Sequence, residues 1–151
     1  MNRGKHDTSN ALVKPKLRWN CDPKLADRIC NSNRRSAEHS GYFEKTTFIA
    51  DEQGNQVTFY DSNSGKPVFF APKGRSWDDF LMESRQLGWL SFRDEEVFWD
   101  NVRCLTGGET ISVDGTQLGH NIPDEKGSRY CINLVSVSGC KQGDNQDKCN
   151  T

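Results

Sequence analysis

The apolar positions change rhythm several times along the chain, and each change marks an element. Residues 1–18 carry no hydrophobic period and are expected to form a polar, basic tail. Within 19–45 a short helix is predicted: Asp22 can cap it, Pro23 suits its first turn, and Leu25, Ile29 and Cys30 recur on one face. Between Thr46 and Phe59, T-T-F-I-A and Q-V-T-F-Y place β-branched and aromatic residues on either side of D-E-Q-G-N, which predicts a hairpin. Asn63, Ser64 and Gly65 make a second turn before K-P-V-F-F-A-P, a further strand. Ser76 reads as the N-cap of the helix W-D-D-F-L-M-E-S-R, with Asp79 at the capping-box position and Trp77, Phe80, Leu81 and Met82 on its apolar side. Aromatic residues crowd 89–99, and from Val102 to Val137 short strands alternate with G-G-E, V-D-G and D-E-K-G turns. Beyond Gly139 the pattern dissolves, so 140–151 is expected to be a flexible tail carrying Cys140 and Cys149. The outcome is one domain over 19–139, mainly β with minor short helices (α+β), between two polar tails.

Composition narrows the function classes. The chain has 151 residues, enough for one domain with a core, and 33% of them are hydrophobic. A net charge of −1 gives no reason to expect nucleic acid or a charged membrane surface as partner. Residues 1–40 do hold nine Lys/Arg against four Asp/Glu, which reads as a solvated basic arm. No apolar run approaches the ~20 residues of a membrane span, and the first 18 residues lack the apolar segment of a secretory signal. An intracellular, cytoplasmic setting and a monomer are therefore expected, with organelle import left open.

Six cysteines in such a setting point to catalytic or redox roles rather than to a disulfide framework. There is no Cys-x-x-Cys pair and there are three His, so neither structural zinc nor any other tightly bound metal or cofactor is expected. The densest chemistry lies in G-H-N-I-P-D-E-K-G-S-R-Y-C-I-N-L-V. If R-Y-C-I-N-L-V is a strand, Tyr130, Ile132 and Leu134 share the core face, and Arg129, Cys131 and Asn133 share the other. A thiolate is the nucleophilic form of cysteine, and a fixed cation such as Arg129 favours it, while Asn133 can orient a substrate oxygen. His120 could return to this face through the turn Pro123–Gly127. On spacing alone an inert strand cysteine with solvated neighbours is the commoner outcome.

Gly88–Phe92 (G-W-L-S-F), Leu118–His120 (L-G-H) and Arg129–Asn133 (R-Y-C-I-N), in that order, resemble the signature series of the type B peptide methionine sulfoxide reductases, and Gly65–Phe69 (G-K-P-V-F) resembles a strand of the same family. The resemblance covers about 60–139. It implies the family's β-tent, shared with Mss4-like proteins: two antiparallel sheets with short peripheral helices. It implies thiol-dependent reduction of methionine-R-sulfoxide, free or in oxidised proteins and peptides, through a Cys131 sulfenic acid, recycled by an external, thioredoxin-like thiol reductant. It also assigns roles. Cys131 is the nucleophile, His120 binds or protonates the sulfoxide oxygen, and Arg129 and Asn133 are its companions. Trp89 holds the substrate methyl group, Phe92 walls the pocket, and Asp124 is an acidic residue close by.

Four positions depart from the family pattern. Gln117 stands where a first histidine is usual and can hydrogen-bond but not carry a proton at neutral pH. Leu90 replaces a proline, and the zinc cysteines are missing. Leu87 occupies a common position of the resolving cysteine, which leaves Cys104, Cys140 and Cys149 as candidates. A tail of ~18 residues spans roughly 20–25 Å, enough to bring Cys149 back to Cys131. Two other readings stay open: a β-tent module that binds peptides without turnover, and a thiol-based redox sensor.

Overall fold

The structure, a computed structural model, describes residues 17–31 and 37–141. They form an α+β arrangement, mainly β, with a two-stranded and a five-stranded antiparallel sheet and a few short helices. The helices are α1 (Pro23–Asn31), α2 (Phe48–Glu52) and α3 (Trp77–Leu87). The small sheet pairs β1 (Val57–Tyr60) with β2 (Pro67–Ala71). The large sheet has the order β3-β7-β6-β5-β4, built from β3 (Leu90–Phe92), β4 (Val102–Cys104), β5 (Glu109–Ser112), β6 (Gln117–Asn121) and β7 (Tyr130–Ile132). No helix among the described residues is long and apolar enough to cross a membrane.

The two sheets meet on aromatic rings. Phe92 of β3 stacks on Phe69 of β2 with centroids 4.3 Å apart, and it also meets Phe59 of β1 and Phe80 of α3. All four rings are fully buried. Such contacts add about 0.5–1.5 kcal/mol per pair beyond the burial of their area, so Phe92 is the pin between sheets.

Helix α3 forms where its sequence predicts, although Met82, expected on its apolar side, is exposed. Ser76 accepts a 3.0 Å hydrogen bond from the Asp79 amide, and Gly88, at φ +94°, closes the last turn. Gly88 has a second duty, because a Cβ there would overlap the Ser40 side chain. The segment 37–41 thus lies directly on the α3–β3 turn, tied by Gly41 N–H donating to Gly88 O at 2.8 Å.

The hairpin predicted for Thr46–Phe59 does not form: Phe48–Glu52 is a helix, and the ladder partner of β1 is β2. The threonines that suggested a strand instead make local side-chain bonds at the start of this helix. Thr46 Oγ1 accepts from Phe48 N–H, and Thr47 Oγ1 donates to Asp51. The helical turn also buries Phe48 against Trp19 at 5.0 Å, which outweighs β-propensity. The predicted strand through Val135 is shorter too, since Leu134–Ser136 form a 3₁₀ turn after β7. At the ends, Leu17 is buried, Arg18 N–H donates to Ser138 O, and Cys140 is buried, so packing reaches slightly past 19–139 on both sides. The calls on 1–16 and 142–151 lie outside the described residues.

Gly119 on β6 faces the β7 backbone so closely that a Cβ would overlap the Cys131 carbonyl oxygen. Gly119→Ala should therefore lower stability by about 1–3 kcal/mol, through forced movement of β6 away from β7. Denaturant unfolding measures this, and a midpoint equal to that of the parent would contradict the close approach.

Candidate active site

The ladders around β7 set the site. Ser91 of β3 pairs with Cys131, and Cys131 pairs with His120 of β6. Directly paired residues in antiparallel strands share a face, so these three side chains form one row across the sheet. Leu90, Ile132 and Gly119 form the neighbouring row on the opposite, core face. The predicted alternation of β7 is therefore present: Tyr130 and Ile132 are buried, and Cys131 is half-buried on the outer face.

His120, expected to return to the face of Cys131, does so and is exposed. Its ring stands over Gly108, whose missing side chain leaves the space: a Cβ there would come within 2.9 Å of Nε2. Gln117 returns to the face of His120 through a bulge. Thr110 pairs with Gly119 while Ile111 pairs with Gln117, so β6 takes two steps against one of β5 and the parity flips. Gln117 is buried, and its Oε1 has no hydrogen-bond partner.

Trp89 and Asn133 flank this row, just before β3 and just after β7. Trp89 is half-buried and its indole N–H donates to Glu38 O at 2.9 Å. Asn133 is buried and bonded at both ends of its amide: Nδ2 donates to Leu118 O at 3.1 Å, and Oδ1 accepts from Glu38 N–H at 3.0 Å. Its amide fastens segment 37–41 to β7 rather than standing free for a substrate oxygen. Phe92 does not wall the site, because it lies on the core face.

On the other side of the row the outer face carries an ionic network. Arg93 donates to both oxygens of Asp124 at 2.9 Å and to Glu83 at 2.7 Å. Arg75 bridges Glu83 and Glu96, and Ser91 Oγ donates to Glu83 Oε2 at 2.6 Å. Asp124 also lies 3.7 Å from Arg129, and the Arg93 pairing holds its carboxyl well below the usual range. An open cleft of about 410 Å³, lined by Arg75, Glu83, Arg93, Lys126 and Ser128, runs beside this network.

Charge at Cys131 is the balance of three effects. Burial raises the thiol, the Glu38 carboxylate raises it further, and Arg129 lowers it, leaving it pushed up to about 12. The expected help from Arg129 is present but outweighed, in part because Asp124 and Ile122 O hold the guanidinium. Glu38 itself is pushed up to about 8 by burial, against backbone N–H bonds from Leu134 and Val135.

The resolving-cysteine candidates are scattered. Cys104 on β4 lies three strands from β7 in the sheet, roughly 14 Å, beyond the ~7 Å Cα separation of a disulfide. Cys140 is disulfide-bonded, whereas Cys21, Cys30, Cys104 and Cys131 are free. Cys149 lies outside the described residues. No group of three or more His, Cys, Asp or Glu among the described residues could hold a metal ion.

Sequence reasoning missed Glu38, Ser91, Glu83 and Arg93. Ser91 and Arg93 were reachable, because period two from Gly88–Phe92 sets both on the face opposite Phe92. Glu38 had no local signal, since it sits in an unpatterned polar stretch and reaches the site only through tertiary contacts. Compared with known proteins, the chain matches no family model, no curated protein and no solved structure.

A raised Glu38 means that the folded chain binds a proton between about pH 4.5 and 8 that the unfolded chain has released. Its contribution to stability is thus most favourable below the unfolded value and declines as pH rises towards 8. Urea unfolding across this window should show that decline in the parent and lose it in Glu38→Gln. Parallel pH profiles for the two chains would contradict the burial of this carboxyl.

Proposed function

We propose that this chain is a type B methionine-R-sulfoxide reductase, with the domain adopting the β-tent arrangement of Mss4-like proteins. One observation carries the reading: the thiol of R-Y-C-I-N sits on the outer face of the sheet, paired across the ladder with the exposed His120 of L-G-H, while the indole of G-W-L-S-F flanks the same row. Three motifs far apart in the chain converge on one surface.

In this reading the methyl and thioether carbons of the substrate rest on the Trp89 ring, an apolar, polarisable face suited to sulfur. His120 donates a hydrogen bond to the sulfoxide oxygen and makes the sulfur electrophilic. Cys131 sulfur attacks, giving two electrons to the sulfoxide sulfur; the S–O bond breaks, methionine leaves, and the oxygen remains on Cys131 as a sulfenic acid. An external thioredoxin-like dithiol then reduces the sulfenic acid to thiol and water, becoming a disulfide. Asp124 and Arg93 hold Arg129 and the β6–β7 turn rather than touching substrate. Oxidised proteins and peptides are the substrates, and no bound cofactor is required.

A peptide-binding module without turnover is the second reading. The raised Cys131 thiol and the Asn133 amide, tied to Leu118 O and Glu38 N–H, favour it.

Cys131→Ser should abolish sulfoxide reduction while leaving the unfolding transition close to that of the parent, because the change in volume is small. His120→Ala should slow reduction on the order of 10²–10⁴-fold. Both are read from peptide turnover with dithiothreitol as reductant. Undiminished turnover in the serine variant would remove Cys131 as nucleophile, and a loss below threefold in the alanine variant would remove His120.

A further inference from the structure

Residues 37–41 lie outside every helix and strand, yet Glu38 within them is 1% exposed. Its backbone serves two residues beside the Cys131–His120 row. Glu38 O accepts from the Trp89 indole N–H at 2.9 Å, and Glu38 N–H donates to Asn133 Oδ1 at 3.0 Å. Trp89 precedes β3 and Asn133 follows β7, so one residue of this strap ties the start of β3 to the end of β7. The strap is fixed again on the α3–β3 turn. Gly41 N–H donates to Gly88 O at 2.8 Å, and Ser40 packs where a Cβ on Gly88 would stand.

The Glu38 side chain is the part of the strap that reaches inward. Oε1 accepts from Val135 N–H at 3.1 Å, and Oε2 is buried without a hydrogen-bond partner. An ionised carboxylate there would leave a charged oxygen dry, at a cost well above that of the neutral acid. The ionisable groups that feel its charge are Cys21, Cys30 of α1, Tyr42 and Cys131 of β7. All four are acids, so ionisation gains no counter-charge from them. Burial pushes Glu38 up to about 8, and near neutral pH it stands as the neutral acid.

We infer that Glu38 is a positioning residue of the Cys131 site: its side chain anchors the 37–41 strap in the core, and its carbonyl oxygen fixes the edge of the Trp89 indole, so that the ring face stays presented to the sulfoxide substrate beside Cys131. This role rests on the reductase reading above. Glu38 touches no reacting atom and acts through Trp89. A hydrogen bond at the indole N–H restrains rotation of the ring without covering its faces, which are the part that meets a thioether.

Two variants separate this role from a general loss of stability. Glu38→Gln keeps an oxygen for Val135 N–H and is neutral at every pH, whereas Glu38→Ala removes the anchor. Exchange of the Trp89 indole N–H is followed by NMR, with the Trp99 indole as the exposed reference and Trp89→Phe for assignment. In the parent it should be slow near neutral pH and accelerate relative to Trp99 above pH 8, as the ionised side chain draws in water and the strap lifts. Glu38→Gln should keep it slow across this range, and Glu38→Ala should lose the protection throughout. KM for a methionine sulfoxide peptide should follow the same pattern. It should rise about two- to tenfold in Glu38→Ala, the worth of one hydrogen bond, with kcat changed less, and return in Glu38→Gln.

A merely structural role predicts a lower unfolding midpoint in Glu38→Ala with KM and the indole unchanged. Equal Trp89 protection in the parent and Glu38→Ala overturns the latch. Lost protection with an unchanged KM overturns substrate positioning while the reductase reading stands. If the parent reduces no sulfoxide, the reductase reading fails and the positioning role fails with it. Should Glu38→Ala not fold, the parent and Glu38→Gln decide: parallel pH profiles of KM and indole exchange overturn the role, and a rise above pH 8 confined to the parent supports it.

Discussion

The two antiparallel ladders along β7 are the constraint on which the site depends. Backbone hydrogen bonds to β3 and β6 fix the register, and the register decides which side chains share a face. A slip of one residue would turn Cys131 into the core and Ile132 to solvent. Phe92 holds β3 in place from the core side by its stack on Phe69, and Gly119 lets β6 approach β7 closely enough for the ladder to close. The row Ser91–Cys131–His120 is a by-product of packing on the other face.

What surrounds that row is an electrostatic gradient across the sheet. On one side Arg75, Arg93 and Arg129 are matched by Glu83, Glu96 and Asp124, with Glu96 fully buried yet bonded by Arg75, Arg93 N–H and Lys73 N–H. Satisfied charges of this kind hold geometry at little net cost. On the other side stands Glu38, buried with one oxygen unsatisfied. Cys131 lies between a region where charge is neutralised and one where it is not. Burial and the Glu38 carboxylate together raise the Cys131 thiol against the pull of Arg129, which favours its protonated form.

Much of the fold was legible in the chain. Helix α3, its Ser76 cap, the β2 strand and the turns between β4 and β7 follow from local signals whose energies act locally. The Thr46–Phe59 hairpin misled because Thr-Thr serves the start of a helix as well as a strand, and only the pocket between Trp19 and Phe59 decides in favour of helix. In the site, the face of Cys131 was readable from period two. The cross-strand partners were not, because register depends on the whole sheet. The Gln117 bulge and the approach of Glu38 are tertiary facts, and so is the engagement of Asn133, which in the chain looks the same as a free amide.

The central claim is catalytic, and stereochemistry tests it most directly. The Cys131 thiol and the His120 imidazole, with the Trp89 indole beside their row, make a chiral surface that should distinguish the two configurations at a sulfoxide sulfur. The measurement is incubation of the chain with a racemic methionine sulfoxide peptide and dithiothreitol, with the epimers separated and quantified over time. Consumption of the R epimer to methionine, with the S epimer left intact, is the predicted result. Loss of both epimers at equal rates, or of neither, would contradict it.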